Sequence, residues 1–266
     1  DGLIYDNNKS SIYTLNNIFC NDTEIDKQIK QIKDDNIVFN FVQKYSKTYD
    51  EFVINILPRI LYSLVLVKNN VIFNKKKIVF LLNYNDKFIN NFLQIVRNDI
   101  YIVEYNPNYI YKIDNCIFVT PSNNIRPSYE YIKLLDSYFN YERTNTYNII
   151  IKNSKIKNFD LVISALSSLS NWVIFDDNSN IMKNINLFRK ANIILSVNCE
   201  ELSNIIFSNS DVKVIELVPE LQPNLYYYYL CNLKNIKHYI IPIEHCKNND
   251  FCLNIDILLH TINNIN

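Results

Sequence analysis

Apolar residues in the second half of the chain come in short runs, separated by stretches with helical spacing. The runs are Tyr147–Lys152, Trp172–Phe175, Asn192–Val197, Val212–Val218 and Tyr239–Ile243, and each reads as a strand. Asn158–Leu169 repeats apolar residues every three or four positions, with Leu161, Ala165, Leu166 and Leu169 on one face of the implied helix. Helices are also expected at Ser179–Lys190 (Ser179 as N-cap), Glu200–Phe207, Asn224–Leu233 and Asp250–Ile262, the last with Leu253, Ile257, Leu258 and Ile262 facing inward. Strands alternating with short helices predict a parallel sheet covered on both faces, a Rossmann-like domain.

The first half is less regular. Strands are expected at Ile37–Phe41, Lys77–Leu82, Ile100–Glu104, Tyr109–Ile113 and Ile117–Val119, and helices at Ile25–Lys33, Asp50–Lys68, Lys87–Val96 and Ser128–Tyr138. The polar segment Tyr141–Asn145 is the expected hinge, giving domains 1–142 and 143–266. The fold class is therefore α/β, with two Rossmann-like domains facing a cleft. In such sheets ligands bind where a strand C-terminus meets the next helix N-terminus, which directs attention to the strand–loop–helix of Ala191–Phe207.

Composition changes this picture in one respect. Gly2 is the only glycine in 266 residues. A glycine-rich phosphate cradle is thereby excluded, and left-handed backbone positions must fall to Asn or Asp. Asn, Ile, Lys and Tyr are over-used, as an AT-rich genome would produce, and the Tyr226–Tyr229 run reads through the same bias. Lys plus Arg equals Asp plus Glu at 27 each, so no basic face argues for nucleic acid as a partner. The longest apolar run, Ile56–Val67, is broken by Pro58 and Arg59 and is too short to span a bilayer. No signal peptide is visible, and the chain begins at Asp1, which is compatible with an upstream anchor or domain. The six cysteines form no CxxC pair, and His245, Cys246, Cys252 and His260 fit no zinc spacing, so no metal is expected. An even cysteine count and the sequons at Asn8 and Asn21 are compatible with an oxidising compartment, but Asn-rich chains form sequons by chance and the localisation stays open.

Several segments in order resemble one family. Tyr49-Asp-Glu-Phe-Val-Ile-Asn-Ile-Leu-Pro-Arg59 resembles a "yyHwllDvLPRl" helix, Phe118–Pro121 the strand that follows, and Tyr147–Lys152 a "yisR" strand. Asn186–Ser196 and Leu202–Phe207 flank a "hGAgLtNllF" loop, and Val214–Leu217 matches a "viEl" strand. In this order the segments resemble the family-61 glycosyltransferases, over about Tyr45–His245. The resemblance implies a GT-B arrangement of two Rossmann-like domains, and inverting transfer from a nucleotide sugar to a protein or glycan acceptor. It implies no cofactor beyond that donor substrate and no metal. Arg59, Leu202, Ser203, Asn204 and Glu216 keep the family's identities. Glu51 stands at its His, Asn55 at its Asp, Lys152 and Lys157 at its two Arg positions, and Asn198-Cys199-Glu200-Glu201 at its glycine-bearing loop.

On that resemblance Glu51 is the candidate base, and Lys152, Lys157, Ser196, Asn198, Ser203, Asn204 and Glu216 are the candidate donor-side residues. Four of these have a plainer role available: a solvated helix carboxylate for Glu51, surface lysines for Lys152 and Lys157, a helix-capping strand-end residue for Glu216. Lys contacts phosphate as a point charge, without the fork of Arg. A helix N-terminus attracts phosphate, yet Glu200 and Glu201 occupy that first turn. Two carboxylates about 4 Å from a diphosphate would cost several kcal/mol at an effective dielectric of roughly 20. The Asp176-Asp177 pair reads as a polar loop after a strand, not a metal motif. Two functions follow: a divergent inverting glycosyltransferase, or a catalytically degenerate relative kept as a binding or structural module. An unrelated small-molecule enzyme has no motif behind it.

Overall fold

The structure, a computed structural model, describes residues 3–5, 12–14, 28–32, 35–42, 48–73, 76–83, 92, 100–106, 108–119, 128–139, 146–169, 171–176, 180–219, 224–243 and 250–265. It divides into two compact units, Asp1–Ser122 and Asn123–Asn266. This division falls earlier than the 142/143 boundary expected above. The physical reason lies in the helix Tyr129–Tyr138: Asp136 accepts from Lys234 at 2.9 Å and Phe139 packs edge-on against Phe207, both within the second unit.

The first unit begins with β1 (Leu3–Tyr5), β2 (Ile12–Thr14), β3 (Gln28–Ile32) and β4 (Asn36–Asn40). Helix α1 (Tyr49–Glu51) runs through a π-helical turn (Phe52–Ile56) into α2 (Leu57–Asn69) and a short 3-10 turn (Val71–Phe73). Then come β5 (Lys77–Leu82), β6 (Ile100–Glu104), β7 (Tyr109–Ile113) and β8 (Cys116–Phe118). Among the described residues, one sheet is ordered β6-β5-β4-β8 and parallel throughout. The other is ordered β2-β1-β7-β3 and is mixed, since β1 and β2 run antiparallel. Phe39, Phe41 and Phe80 form an aromatic cluster, while Val38, Val79 and Leu81 pack with Ile32 and Tyr111 of the mixed sheet. The helix expected over Ile25–Lys33 is instead the edge strand β3. Its Ile29 and Ile32 have helical spacing, but pairing with β7 decides, and four of its five residues are exposed. Of the helix expected over Lys87–Val96 only the buried Phe92 is described.

The second unit holds α3 (Tyr129–Tyr138), β9 (Tyr147–Ile151), α4 (Phe159–Ser167), β10 (Trp172–Phe175), α5 (Ile181–Arg189) and β11 (Ala191–Val197). A 3-10 helix (Glu200–Phe207), β12 (Lys213–Pro219), α6 (Tyr226–Leu233), β13 (Lys237–Ile243) and α7 (Ile255–Ile265) follow. The described strands form a parallel sheet ordered β10-β9-β11-β12-β13. This unit is mixed α/β with a parallel, doubly wound sheet, as the alternation of apolar runs predicts. One sheet face (Ile150, Leu195, Val197, Ile215, Leu217, Ile241) packs on α4 and α7 through Val162, Leu166, Leu258 and Ile262. Strand alternation puts Ile194, Ser196, Val214 and Glu216 on the other face, and Phe175 meets Phe188 of α5 at 5.1 Å.

Several local expectations shift. Helix α4 buries Val162 and Leu166 while Leu161 is 60% exposed, so its inner face is rotated from the one expected. Helix α7 starts at Ile255, because Asn254 Oδ1 accepts from the backbone N–H groups of Asp256 and Ile257; Ile257 faces outward and Leu253 packs before the helix. The N-cap of α5 is Asn180, which accepts from the Lys183 N–H; Ser179 lies outside the described residues, as do Tyr141–Asn145 and the sequons at Asn8 and Asn21. Left-handed backbone falls on Asn171 (φ 67°) and Asn235 (φ 55°), the substitution that a chain almost without glycine requires. Among the described residues no helix is long and apolar enough to cross a membrane.

Candidate functional site

In the first unit a polar ladder runs along one helix face. Pro58 cannot donate to the carbonyl of Ile54, and the π-helical turn lies just ahead of it, where the backbone widens to absorb the lost bond. Across that turn Asn55 Nδ2 donates to Glu51 Oε2 at 2.8 Å, and Arg59 Nε donates to the Asn55 carbonyl at 2.7 Å. Arg59 Nη1 reaches the Val119 carbonyl at 2.7 Å, and the guanidinium lies over the Phe41 ring. Arg59 is 1% exposed, so it ties the helix to the end of β8. Glu51 is half-buried in the first turn, its carboxylate oriented by Asn55.

In the second unit strand order reverses between β9 and β11, and ligands bind at such a switch, outside the strand C-termini. Lys152 follows β9 at that edge; its ammonium is exposed and pairs with Asp176 at 3.5 Å. Lys157 lies elsewhere: it pairs with Asp250 at 2.9 Å and its N–H donates to Phe251, fastening the segment before α7. Ser196 is buried, donates to the Val197 carbonyl at 2.7 Å and touches Cys199 Sγ at 3.3 Å.

Glu216 is the centre of the cluster. It is 1% exposed; Oε1 accepts from Asn198 Nδ2 at 2.9 Å and Oε2 meets His238 Nε2 at 2.8 Å. Asn198 Oδ1 in turn accepts from Asn224 Nδ2 at 3.3 Å, and Tyr227 Oη donates to the Cys199 carbonyl at 2.6 Å. A carboxylate this deep needs such partners, since uncompensated burial of a charge costs several kcal/mol. Ser196, Asn198 and Glu216 are therefore gathered together, with Lys152 on a strand end of the same sheet.

Ser203 and Asn204 face inward. Both are fully buried, and Asn204 Nδ2 turns back to the Glu201 carbonyl at 2.8 Å. That side-chain bond competes with helical pairing, and the segment winds as a 3-10 helix in place of the α-helix expected. Of the two loop carboxylates, Glu200 is exposed and Glu201 half-buried. Solvent screening brings each exposed charge–phosphate contact down to about 1 kcal/mol.

Sequence reasoning overlooked Asn224, Tyr227 and His238. His238 is the second residue of β13, and starting the strand at the apolar Tyr239 leaves it out. Tyr227 and Tyr228 also do more than reflect composition, one holding the Cys199 carbonyl and the other packing against His238.

Burial disfavours the thiolate at Cys116, Cys199 and Cys231. Burial pushes Cys199 up to about 12, with Glu201 adding to the rise and the Ser196 bond opposing it. Burial likewise pushes Cys116 up to about 12 and raises Cys231. Native protein at pH 8 should thus hold about a thousandfold less Cys199 thiolate than an unfolded chain, and iodoacetamide mapping should find it protected. These thiols favour the folded state only while protonated. Stability should therefore fall as pH rises past 9, where the unfolded thiols ionise, which urea titrations at pH 8 and 10 would show. Cys116, Cys199 and Cys231 are free thiols; Cys20, His245 and Cys246 lie outside the described residues. Among the described residues no group of three or more His, Cys, Asp or Glu could hold a metal ion.

A doubly wound parallel sheet with polar groups at its switch point defines an α/β protein of the Rossmann-like kind. The chain matches Glycosyltransferase 61 over residues 49–215, more than half its length, and belongs to that family. No curated protein matches it. The match spans Glu51, Arg59, Lys152 and the Asn198 loop and stops at Ile215, short of Glu216 and His238.

Proposed function

We propose that the chain is a divergent inverting glycosyltransferase, moving a sugar from a nucleotide-sugar donor to a protein or glycan acceptor across a GT-B cleft. The observation that carries this reading is the buried Glu216 of β12, whose carboxylate holds the loop at Asn198 that follows the C-terminus of β11. In this reading Glu216 accepts the ribose hydroxyls, while Lys152 and the N–H groups opening the 3-10 helix face the diphosphate. Glu51 takes the acceptor's proton as the acceptor oxygen bonds to the anomeric carbon and the nucleoside diphosphate departs from the opposite face. Ser203, Asn204 and Lys157 support the donor-side elements from behind.

A second reading, a degenerate binding module, is favoured by one specific observation. Both oxygens of Glu216 already have protein partners, and Glu200 and Glu201 stand where a diphosphate would lie.

Thermal unfolding with UDP- and GDP-sugars separates the two. A donor at about one hundred times its Kd should add about 2.7 kcal/mol of stability. No shift at millimolar donor ends the transferase reading and leaves the module. Replacing Glu200 and Glu201 together by Gly should tighten binding by a few-fold, about 1 kcal/mol, if repulsion is the obstacle.

A further inference from the structure

His238 lies outside everything that the family resemblance assigns, yet it is one of two groups that hold Glu216. Strands β12 and β13 pair with Val214 opposite His238 and Glu216 opposite Ile240. His238 and Glu216 are thus diagonal neighbours on one sheet face, the face that α6 covers. The imidazole side chain is 3% exposed, its Nε2 is 2.8 Å from Glu216 Oε2, and the Tyr228 ring stands 5.9 Å away, edge-on. Its Nδ1 is buried with no partner among the described residues. A carboxylate accepts, so Nε2 carries the proton that is donated to Oε2.

We infer that His238 is a positioning residue. It fixes Oε2 of Glu216, so that Oε1 is the oxygen that exchanges partners and the Asn198 loop is held through it. The exchange partner is a vicinal diol of the ribose class, in which part the inference rests on the donor-binding reading of Glu216. Asn198 is the group suited to give way. It is only half-buried, its other bond, to Asn224, is 3.3 Å long, and its carboxamide carries no charge to strand. His238 is suited to stay, being walled in by Tyr228 and the sheet. When the diol replaces Asn198, the buried charge therefore keeps one fixed donor throughout. Release of Asn198 frees Asn224 at the start of α6, and this couples diol binding to the 198–202 segment.

The test uses the full chain with His238→Phe, which keeps a flat ring without a donor, and His238→Gln, which restores an N–H donor. Amide hydrogen exchange at residues 198–202 is read in the protein alone. Binding of UDP and GDP, each against its 2′,3′-dideoxy analogue, is read by calorimetry. H238F should exchange about tenfold faster at 198–202 while β11 and β12 stay protected, and H238Q should return to the wild-type rate. Wild type and H238Q should prefer the ribose form by about tenfold, and H238F should lose most of that preference. Unchanged exchange in H238F, or no recovery in H238Q, overturns the positioning role. Undiminished ribose preference in H238F overturns the diol exchange. Wild-type protein that binds neither nucleotide overturns the donor reading and the diol with it, while the exchange data still decide the positioning of Asn198.

Discussion

Replacing Arg59 with methionine should lower the stability of the protein by about 3 kcal/mol, among the largest effects of any single polar substitution in the first unit. The guanidinium donates to two carbonyls, of Asn55 and Val119, and packs over Phe41. Charge-assisted bonds of this kind contribute about 1.5–3 kcal/mol each, and relief of the desolvation of a buried cation offsets part of their loss. Methionine keeps most of the volume, so the measured loss reports the bonds. Alanine adds a cavity and should raise the loss to about 5 kcal/mol. Lysine should recover only part, because a single ammonium lacks the planar fork that meets two acceptors in different directions. Urea midpoints with unchanged m-values would measure all three. A loss below about 1 kcal/mol for the methionine variant would mean that the helix is held to β8 by apolar packing alone. The result bears on function, because Arg59 holds the carbonyl of Asn55, the residue of the π-helical turn whose side chain orients Glu51. An arginine that fits a family's Leu-Pro-Arg pattern is here a tie within the fold, buried too deeply to meet a diphosphate.

The second unit was legible because its central strands β9, β11 and β12 are largely buried on both faces. Runs such as Ala191–Val197 and Lys213–Pro219 are mostly apolar, and helices between them leave a parallel sheet as the arrangement that hides them. Tertiary pairing misled the reading where a segment is short or exposed. Gln28–Ile32 has the spacing of a helix, and only its partner β7 makes it a strand. Glu200–Phe207 has the right length and polarity for an α-helix, but six consecutive buried side chains and the Asn204 bond to Glu201 wind it more tightly. The candidate site was half legible. Family positions pointed to Asn198 and Glu216, which touch, but also to Ser203 and Asn204, which are fully buried. Motif identity does not say which way a side chain points, and a residue can persist because it packs. His238 and Asn224 carry no motif at all; they join the cluster through register and helix placement, which a linear sequence does not display.

Glu216→Ala should cost about 3 kcal/mol, and Glu216→Gln only about 1 kcal/mol, with a change in His238 that is visible by nitrogen NMR. Alanine leaves Asn198 Nδ2 and the His238 ring without their acceptor in a buried space. The glutamine outcome follows from the direction of the hydrogen bonds. The Tyr226 N–H donates to Asn224 Oδ1, Asn224 Nδ2 donates to Asn198 Oδ1, and Asn198 Nδ2 donates to Glu216 Oε1. A backbone N–H at the start of α6 fixes the polarity of that relay, so none of its amides can turn over without breaking the first bond. Glutamine must therefore turn its carbonyl to Asn198 and its NH2 to His238. The imidazole can receive that donor only with Nε2 unprotonated and the ring proton on Nδ1, where it finds no acceptor among the described residues. Long-range nitrogen–proton spectra of the ring distinguish the two tautomers directly. The Nε2–H form persisting in E216Q, or an alanine variant within about 1 kcal/mol of wild type, would show that Glu216 is not the acceptor on which the loop, β13 and α6 converge.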